Sequence, residues 1–314
     1  MRATLLVALL LPLLPALAGC VGPALLTDGS SVSMGDHRSG LLRHGTPLPF
    51  RGRGFIVPER WWLRHRNYGI EELVYALMRV AYHVERRYRG ATVGFADLSP
   101  AGGGSTTEHG SHTSGRDADV IFYATDLNGH PLVPREMVAY DATGLALPAT
   151  LGPETQPATP PRGPGLASGP PVPDAAAAAP VVGGASQRFD VRRNWALMRA
   201  LLTDPRIEVQ WLFINRDLAR LLLDQARRAG EPERLLERAA ALMHQPGDAG
   251  LHNDHFHLRI FCPPGDRELG CRDLGPPRWR DPAVESAAGA ATPAAPLPLL
   301  LEELALLARR FPLM

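Results

Sequence analysis

The chain has 314 residues, enough for one large domain or two small ones with a sizeable hydrophobic core. Its formal net charge is +1 at pH 7, so no general electrostatic field draws it to nucleic acid or to an anionic surface. We therefore expect no nucleic-acid partner, and the individual motifs have to indicate the function.

The first twenty residues have the features of an export signal with a lipid-attachment site. A short positive start precedes an apolar run over residues 5–18, which is shorter than the roughly 20 residues that a transmembrane helix needs. Leu17-Ala-Gly-Cys20 looks like a bacterial lipobox, and Val21 follows it rather than an aspartate. We predict a lipoprotein signal peptide over residues 1–20, with a lipidated Cys20 that anchors the protein in the outer membrane, facing the periplasm. An ordinary signal peptide with a chance cysteine is the alternative.

Hydrophobic periodicity predicts helices and strands in alternation along the rest of the chain. Residues 71–88 carry apolar side chains near helical spacing and predict a core-facing helix, and residues 91–98 predict a strand. Further helices are predicted over residues 191–202 (with Asp190 as the N-cap), 216–228 and 233–244, and further strands over residues 118–122, 207–214 and 255–260. The tryptophans at positions 61, 62, 195 and 211 are expected to pack in the core and against helices rather than to form saccharide platforms.

Two histidine-rich strings contain five of the eleven histidines. They are His109-Gly-Ser-His112-Thr-Ser-Gly115-Arg-Asp-Ala-Asp119 and His252-Asn-Asp-His255-Phe-His257. Imidazole and carboxylate groups are the ligands that a catalytic zinc prefers, with three ligands from the protein and a fourth position left to water. A structural zinc is the alternative, but such a site usually has cysteine ligands, and neither string contains a cysteine.

The spacing within each string predicts how its side chains are arranged. Gly115 allows a sharp turn, so that a loop imidazole at His112 returns beside a strand carboxylate at Asp119. His255 and His257 lie on the same face of a strand, because side chains alternate with a period of two. Two imidazoles on one face fit a division of labour in which one binds the metal and the other transfers protons.

The cysteines agree with an exported protein. If Cys20 carries a lipid, Cys262 and Cys271 remain as a pair in the loop that follows the second string. A disulfide between them is expected in an oxidising periplasm, and two free thiols are the alternative.

Two low-complexity segments divide the chain. Residues 147–187 are rich in proline, alanine and glycine, with almost no charge, and cannot bury enough apolar surface to offset the entropy of ordering. We predict a flexible insertion there within a single domain over residues 21–281, because the two strings lie on either side of it. Residues 282–314 are predicted to be a low-complexity linker followed by a helix.

The strings and their surroundings resemble the penicillin-insensitive murein endopeptidases, which are LAS-type zinc metallopeptidases. Besides the strings, the resemblance includes Ser33-Met-Gly35 and Pro100-Ala-Gly-Gly-Gly104, and it covers roughly residues 30–145 and 188–275. It implies that His112, Asp119 and His257 bind Zn²⁺ and that His255 is the catalytic acid/base. His109 and His252 match further histidines of the family's site, as auxiliary metal ligands or as proton and substrate contacts.

The resemblance also implies a fold and a reaction. The expected fold is an α+β domain whose mostly antiparallel sheet carries the zinc site and is flanked by helices. The expected reaction is hydrolysis of peptidoglycan cross-link peptides at the D-alanyl–meso-diaminopimelyl bond, by a zinc-activated water with His255 as general base and acid. Two alternatives stay open: a lipoprotein that binds zinc or cell-wall peptide without turnover, and a D,D-carboxypeptidase. Some relatives carry an Asp and a His for a second metal, and here Asp141 is matched to the Asp while Gly144 stands where the His would be.

Overall fold

A computed structural model describes residues 29–107, 109–148, 187–247 and 250–278. The predicted signal peptide and lipobox, residues 149–186 of the predicted insertion, and the predicted C-terminal linker and helix lie outside the described residues. None of the helices within the described ranges is long and apolar enough to cross a membrane.

Thirteen strands and six helices make up the described part of the chain. The strands are β1 (Val32–Gly35), β2 (Gly40–Arg43), β3 (Thr46–Pro47), β4 (Arg51–Gly52), β5 (Phe55–Ile56), β6 (Tyr68–Gly69), β7 (Val93–Phe95), β8 (Asp117–Ile121), β9 (Ala124–Asp126), β10 (Gln187–Phe189), β11 (Val209–Phe213), β12 (Met243–His244) and β13 (His255–Ile260). The helices are α1 (Glu59–Trp62), α2 (Glu71–Arg87), α3 (Val191–Thr203), α4 (Arg216–Arg228), α5 (Glu233–Leu242) and α6 (Pro264–Glu268).

A seven-stranded sheet in the order β12-β11-β13-β8-β7-β5-β4 forms the centre of the fold. The β11–β12 and β5–β7 pairs are parallel and the other neighbours in this sheet are antiparallel. The smaller pairs β1–β2, β9–β10 and β3–β6 are antiparallel as well. The predicted α+β class with a mostly antiparallel sheet is confirmed. The strands that carry the two histidine-rich strings, β8 and β13, are direct neighbours near the middle of the sheet.

Helix α2 shows why the core lies where it does. Its buried side chains recur every three or four residues, so one face of the helix is continuously apolar. Acidic residues in its first turn and basic residues in its last turn favour the helix through its dipole. Helix α2 packs on α3, and α3 packs on α4, which gives the sheet its helical cover.

Most predicted elements are confirmed, with differences at their ends. Helices α2, α3 and α4 agree with the prediction to within one residue, and the Asp190 side chain caps α3 by accepting the Arg193 N–H. Two strands are shorter than predicted, β7 and β11. The prediction of a helix through residue 244 is wrong at its end, because Met243 and His244 are extended and pair with β11 as strand β12.

The loop after β13 is fixed at two places. A disulfide joins Cys262 to Cys271, whose Cα atoms are 6.0 Å apart, and encloses α6. The same loop is hydrogen-bonded to the end of β1, where Gly35 donates to the Gly270 carbonyl (3.0 Å) and accepts from the Arg272 N–H (2.8 Å). The loop therefore holds the turn between β1 and β2 in a defined position beside the central sheet.

Candidate metal centre

The register of two central strands brings a histidine and an aspartate together. In the antiparallel pair β8–β13, His257 lies opposite Asp119, and Arg259 lies opposite Asp117. Side chains that are directly opposite in such a pair have Cβ atoms about 4.5–5.5 Å apart. The alternate residues of both strands, including Phe256 and Val120, point into the core and hold this face of the sheet rigid.

A strained loop brings the third side chain, His112, to the same place. Its backbone has φ 67°, in the left-handed region that bulky residues rarely adopt, and its side chain is fully buried. Gly115 follows with φ 76°, and a Cβ atom there would lie 2.6 Å from the Leu42 side chain. The prediction that a glycine permits this turn is therefore supported, because no other residue fits this position without displacing its neighbour.

Three ligand atoms form a close triangle. The His257 Nδ1 atom is 3.1 Å from Asp119 Oδ1, the His112 Nε2 atom is 3.3 Å from the same oxygen, and the two nitrogens are 3.3 Å apart. Zinc bonds of about 2.0–2.1 Å at tetrahedral angles would separate neighbouring ligand atoms by roughly 3.3–3.4 Å. The triangle therefore has the dimensions of one face of a tetrahedral zinc site.

In both histidines of the triangle, the ring nitrogen that points away from Asp119 is hydrogen-bonded, and this bond determines which nitrogen is left as an acceptor. The His112 Nδ1 atom donates to the Leu98 carbonyl (2.9 Å), and the His257 Nε2 atom donates to the Asp117 carboxylate (2.8 Å). A neutral imidazole carries one proton, so His112 Nε2 and His257 Nδ1 present lone pairs to Asp119. Partners of this kind are what orient histidine ligands at metal sites.

A cation between three acceptors at such short range would relieve their mutual repulsion. The Oδ1 atom of Asp119 is buried and has no hydrogen-bond partner among the described residues, and Asp119 itself is only 2% exposed. Burial tends to raise the pKa of Asp119, but the neighbouring imidazoles of His112 and His255 hold it well below its ordinary value. Burial tends to lower the pKa of His257, but Asp117 and Asp119 raise it. The site thus attracts positive charge, and a metal ion with imidazole and carboxylate ligands fits it.

His109 lies at the outer side of the same cluster. Its ligand atom and those of His112 and Asp119 all lie within 4.8 Å of one another. The His109 Nε2 atom is hydrogen-bonded to the buried carboxylate of Asp97 (2.8 Å), while its Nδ1 atom is 4.0 Å from Asp119 Oδ2. His109 therefore occupies a position beside the triangle with one ring nitrogen turned towards Asp119.

His255 is held differently from the three residues of the triangle. Its Nδ1 atom is hydrogen-bonded to the Asp254 carboxylate (2.7 Å), and its Nε2 atom is 3.5 Å from Asp119 Oδ1. Burial tends to lower the pKa of His255, but Asp119 and Asp254 raise it overall. A carboxylate that orients an imidazole and stabilises its protonated form is the arrangement expected of a proton-transfer histidine.

His252 lies close to both histidines of the second strand. Its ring centroid is 5.3 Å from that of His255 and 6.1 Å from that of His257. Its backbone has φ 44°, and its Nδ1 atom is hydrogen-bonded to the Gly250 carbonyl (2.8 Å). Burial and the two neighbouring histidines lower its pKa to about 4, so His252 is neutral near neutral pH.

Asp119 and the histidines at positions 109, 252, 255 and 257 line one cleft of about 1130 Å³. Trp211 lies in its wall and stacks on Phe213, with ring centroids 5.4 Å apart, and His244 packs on the same indole at 5.2 Å. The expectation of core packing holds for Trp61 and Trp195, which are buried. It is wrong for Trp211, because β11 lies near the edge of the sheet and turns this side chain towards the cleft.

The comparison with protein families agrees with this geometry. Residues 33–147 match the family model of the penicillin-insensitive murein endopeptidases. The match confirms the resemblance over the first histidine-rich string, which holds His109, His112 and Asp119. The second string lies beyond the matched residues, and only the fold brings it to the family's motif. No curated protein matches the chain.

Several residues of the site are not singled out by the sequence reasoning. Asp117 binds His257 and Arg259, Asp254 orients His255, and Asp97 orients His109. Asp117 shares a strand face with Asp119, so the two-residue period was the available signal. Asp141, matched to the aspartate of a second metal site, accepts hydrogen bonds from Thr143 and Leu145 in a turn. A metal-ligand cluster around Asp141 is absent from the described residues.

Proposed function

We propose that the protein is a zinc-dependent murein endopeptidase that cuts the peptide cross-links of peptidoglycan. The observation that supports it most directly is the triangle of His112 Nε2, Asp119 Oδ1 and His257 Nδ1, because its dimensions and lone pairs suit zinc. His109 would be an auxiliary ligand on the outer side. The family match over residues 33–147 supports the substrate class.

The chain's own residues supply the proton transfers. When bound, zinc would lower the pKa of a coordinated water from 15.7 to about 7 and polarise the scissile carbonyl. The Nε2 atom of His255 accepts the proton of the attacking water, and the Asp254 carboxylate stabilises the resulting imidazolium. His255 then delivers that proton to the leaving nitrogen, so one residue serves as base and then as acid.

The size of the cleft is consistent with the proposed substrate, which contains two peptide strands. Its volume of about 1130 Å³ is slightly above the roughly 300–1,000 Å³ that is usual for small-molecule pockets. The aromatic wall formed by Trp211 and Phe213 offers a rigid apolar surface for the peptide stems. The bond that we propose to be cut is the D-alanyl–meso-diaminopimelyl bond that joins the two strands.

The proposed location and domain organisation follow from the substrate. Peptidoglycan lies in the periplasm, and the lipobox at Cys20 would tether the enzyme to the outer membrane. In this proposal a single catalytic domain over residues 21–281 is interrupted at residues 147–187, and residues 282–314 form a linker and a helix. The disulfide between Cys262 and Cys271 suits an oxidising compartment.

The test is incubation of the purified full chain with cross-linked muropeptides, with and without a chelator, followed by mass spectrometry. We expect monomers to appear from dimers, activity to disappear with chelator and to return with added zinc. His257→Ala should lose bound zinc and activity together, whereas His83→Ala, an exposed histidine on α2, should retain both. Release of terminal D-alanine without dimer cleavage would indicate a carboxypeptidase. Binding of muropeptide without any cleavage by zinc-loaded protein would indicate a binding protein.

A further inference from the structure

The wall of the cleft includes two side chains that the proposed chemistry does not use. His37 and Arg259 both line the cleft, although His37 is only 8% exposed and Arg259 only 4%. The Nδ1 atom of His37 is buried and has no hydrogen-bond partner among the described residues. A buried imidazole nitrogen without a partner has a cost in free energy, so its position in a cleft wall requires an explanation.

His37 is held in place by a rigid turn. It lies between β1 and β2, where the Asp36 carboxylate accepts the N–H groups of Arg38 and Ser39, both at 2.9 Å. Gly35, at the start of the turn, is the residue bonded on both sides to the disulfide-closed loop. The imidazole is therefore positioned before any ligand arrives, which lowers the entropy lost on binding.

Arg259 keeps most of its hydrogen-bonding capacity. Among the described residues, its guanidinium donates one hydrogen bond, from Nε to Asp117 Oδ1 at 2.7 Å. Arg259 and His37 line the same cleft. Burial, with a smaller contribution from the Arg259 charge, lowers the pKa of His37 to about 4, so His37 is neutral near neutral pH. A neutral imidazole beside a guanidinium with spare donors suits an anion rather than a second cation.

The position of Arg259 relative to His257 indicates which anionic group of the substrate would bind there. The two residues share one face of β13 two positions apart, which corresponds to about 7 Å along a strand. Consecutive residues of a peptide are roughly 3.8 Å apart, and a charge-assisted hydrogen bond spans about 2.8 Å. The separation between a scissile carbonyl and a carboxylate on the next residue therefore matches the spacing of His257 and Arg259 along the strand.

We propose that His37 and Arg259 form a subsite for a carboxylate carried on the carbon next to the leaving nitrogen of the substrate. This inference rests on the proposed function, since it names the group that the endopeptidase recognises on the amine side of the bond. It would restrict cleavage to linkages in which the carbon attached to the leaving nitrogen carries a free carboxylate. Amidation of that carboxylate would remove the recognised charge.

The test uses two cross-linked muropeptide dimers that differ only in this group, one with the free carboxylate and one with the carboxamide. Affinity for chelator-treated full chain is measured by calorimetry, so that binding is read without cleavage. We expect the carboxylate dimer to bind at least about 10-fold more tightly than the carboxamide dimer. His37→Ala should reduce that ratio several-fold, His37→Asn should restore part of it because it keeps a polar donor, and His83→Ala should not change it. An Arg259 variant is not used, because it would also leave Asp117 without its ion pair. The comparison of the carboxylate and carboxamide dimers tests the contribution of Arg259 instead.

The outcomes separate this inference from the proposed function. Equal affinity of wild type for the two dimers would overturn the subsite, whether or not either is cleaved. A ratio that His37→Ala leaves unchanged would remove His37 from it. If the affinity ratio is found but zinc-loaded protein cleaves neither dimer, the subsite stands and the endopeptidase function fails. If both dimers are cleaved and bind equally, the function stands and the subsite fails.

Discussion

Asp117→Asn tests the hydrogen bonds that hold the proposed zinc ligand His257. Asp117 is fully buried and accepts hydrogen bonds from His257 Nε2 (2.8 Å) and Arg259 Nε (2.7 Å). Asparagine keeps the size of the side chain but removes the charge that fixes the His257 tautomer. Loss of such a partner typically lowers metal affinity by about 10–100-fold, which is about 1.4–2.7 kcal/mol. The buried Arg259 charge also loses its compensation, which is expected to cost about 3–5 kcal/mol of stability.

Zinc affinity is measured by competition with a chromophoric chelator, and the stability of metal-free protein by urea unfolding. Asp254→Asn is the matched control, because Asp254 also binds a histidine, His255, but that histidine lies outside the triangle. The control should keep its zinc affinity and lose turnover. Wild-type zinc affinity in Asp117→Asn, measured on protein that is still folded, would refute the assignment of His257 Nδ1 as the ligand atom.

His255→Ala should keep its zinc and lose about 10²- to 10⁴-fold in turnover, and loss of zinc in this variant would make His255 a ligand instead. His37 has a folded pKa of about 4, below the roughly 6.5 of an unfolded chain, so the unfolded state binds more protons and stability falls as the pH drops through this window. Between about pH 7 and about pH 5 we expect wild type to lose about 2 kcal/mol more unfolding free energy than His37→Asn, and equal losses in urea titrations would contradict this. Replacing Cys262 and Cys271 by serine should cost about 3 kcal/mol, from the entropy of a loop of about ten residues, and an unchanged urea midpoint would rule that out. Cys20→Ser should abolish incorporation of radiolabelled palmitate, and labelling at the wild-type level would disprove the lipobox.

Local sequence patterns were sufficient to predict the helices and strands that have one buried face and one more polar face. The helical spacing of apolar residues in α2 and the two-residue alternation in β13 are set by which side faces the core, so both could be predicted. The same alternation correctly placed His255 and His257 on one face. The turn at Gly115 was predictable because glycine adopts a φ of 76° without strain and has no Cβ atom to press on Leu42.

The pairing between distant segments could not be predicted. Nothing in either string specifies that His257 lies opposite Asp119, because register depends on the packing of the whole sheet. The turn that carries His37 is held by a loop closed by Cys262 and Cys271, more than two hundred positions away. The end of α5 was missed for a similar reason, since the hydrogen bonds offered by β11 replace the last helical turn.

The position of β13 has a consequence for the order in which the molecule is completed. It is the last strand in the chain among the described residues, yet it lies inside the sheet between β11 and β8. His257 and Asp117 are 140 residues apart in sequence, so their contact closes a very long loop and forms slowly compared with local structure. Until this strand inserts, β8 and β11 are open edges, and the carboxylates of β8 lack their imidazole and guanidinium neighbours. If the protein binds zinc as proposed, metal capture would therefore be a late event that accompanies closure of the sheet, and a nascent or truncated chain that ends before residue 255 would lack His257 as a ligand.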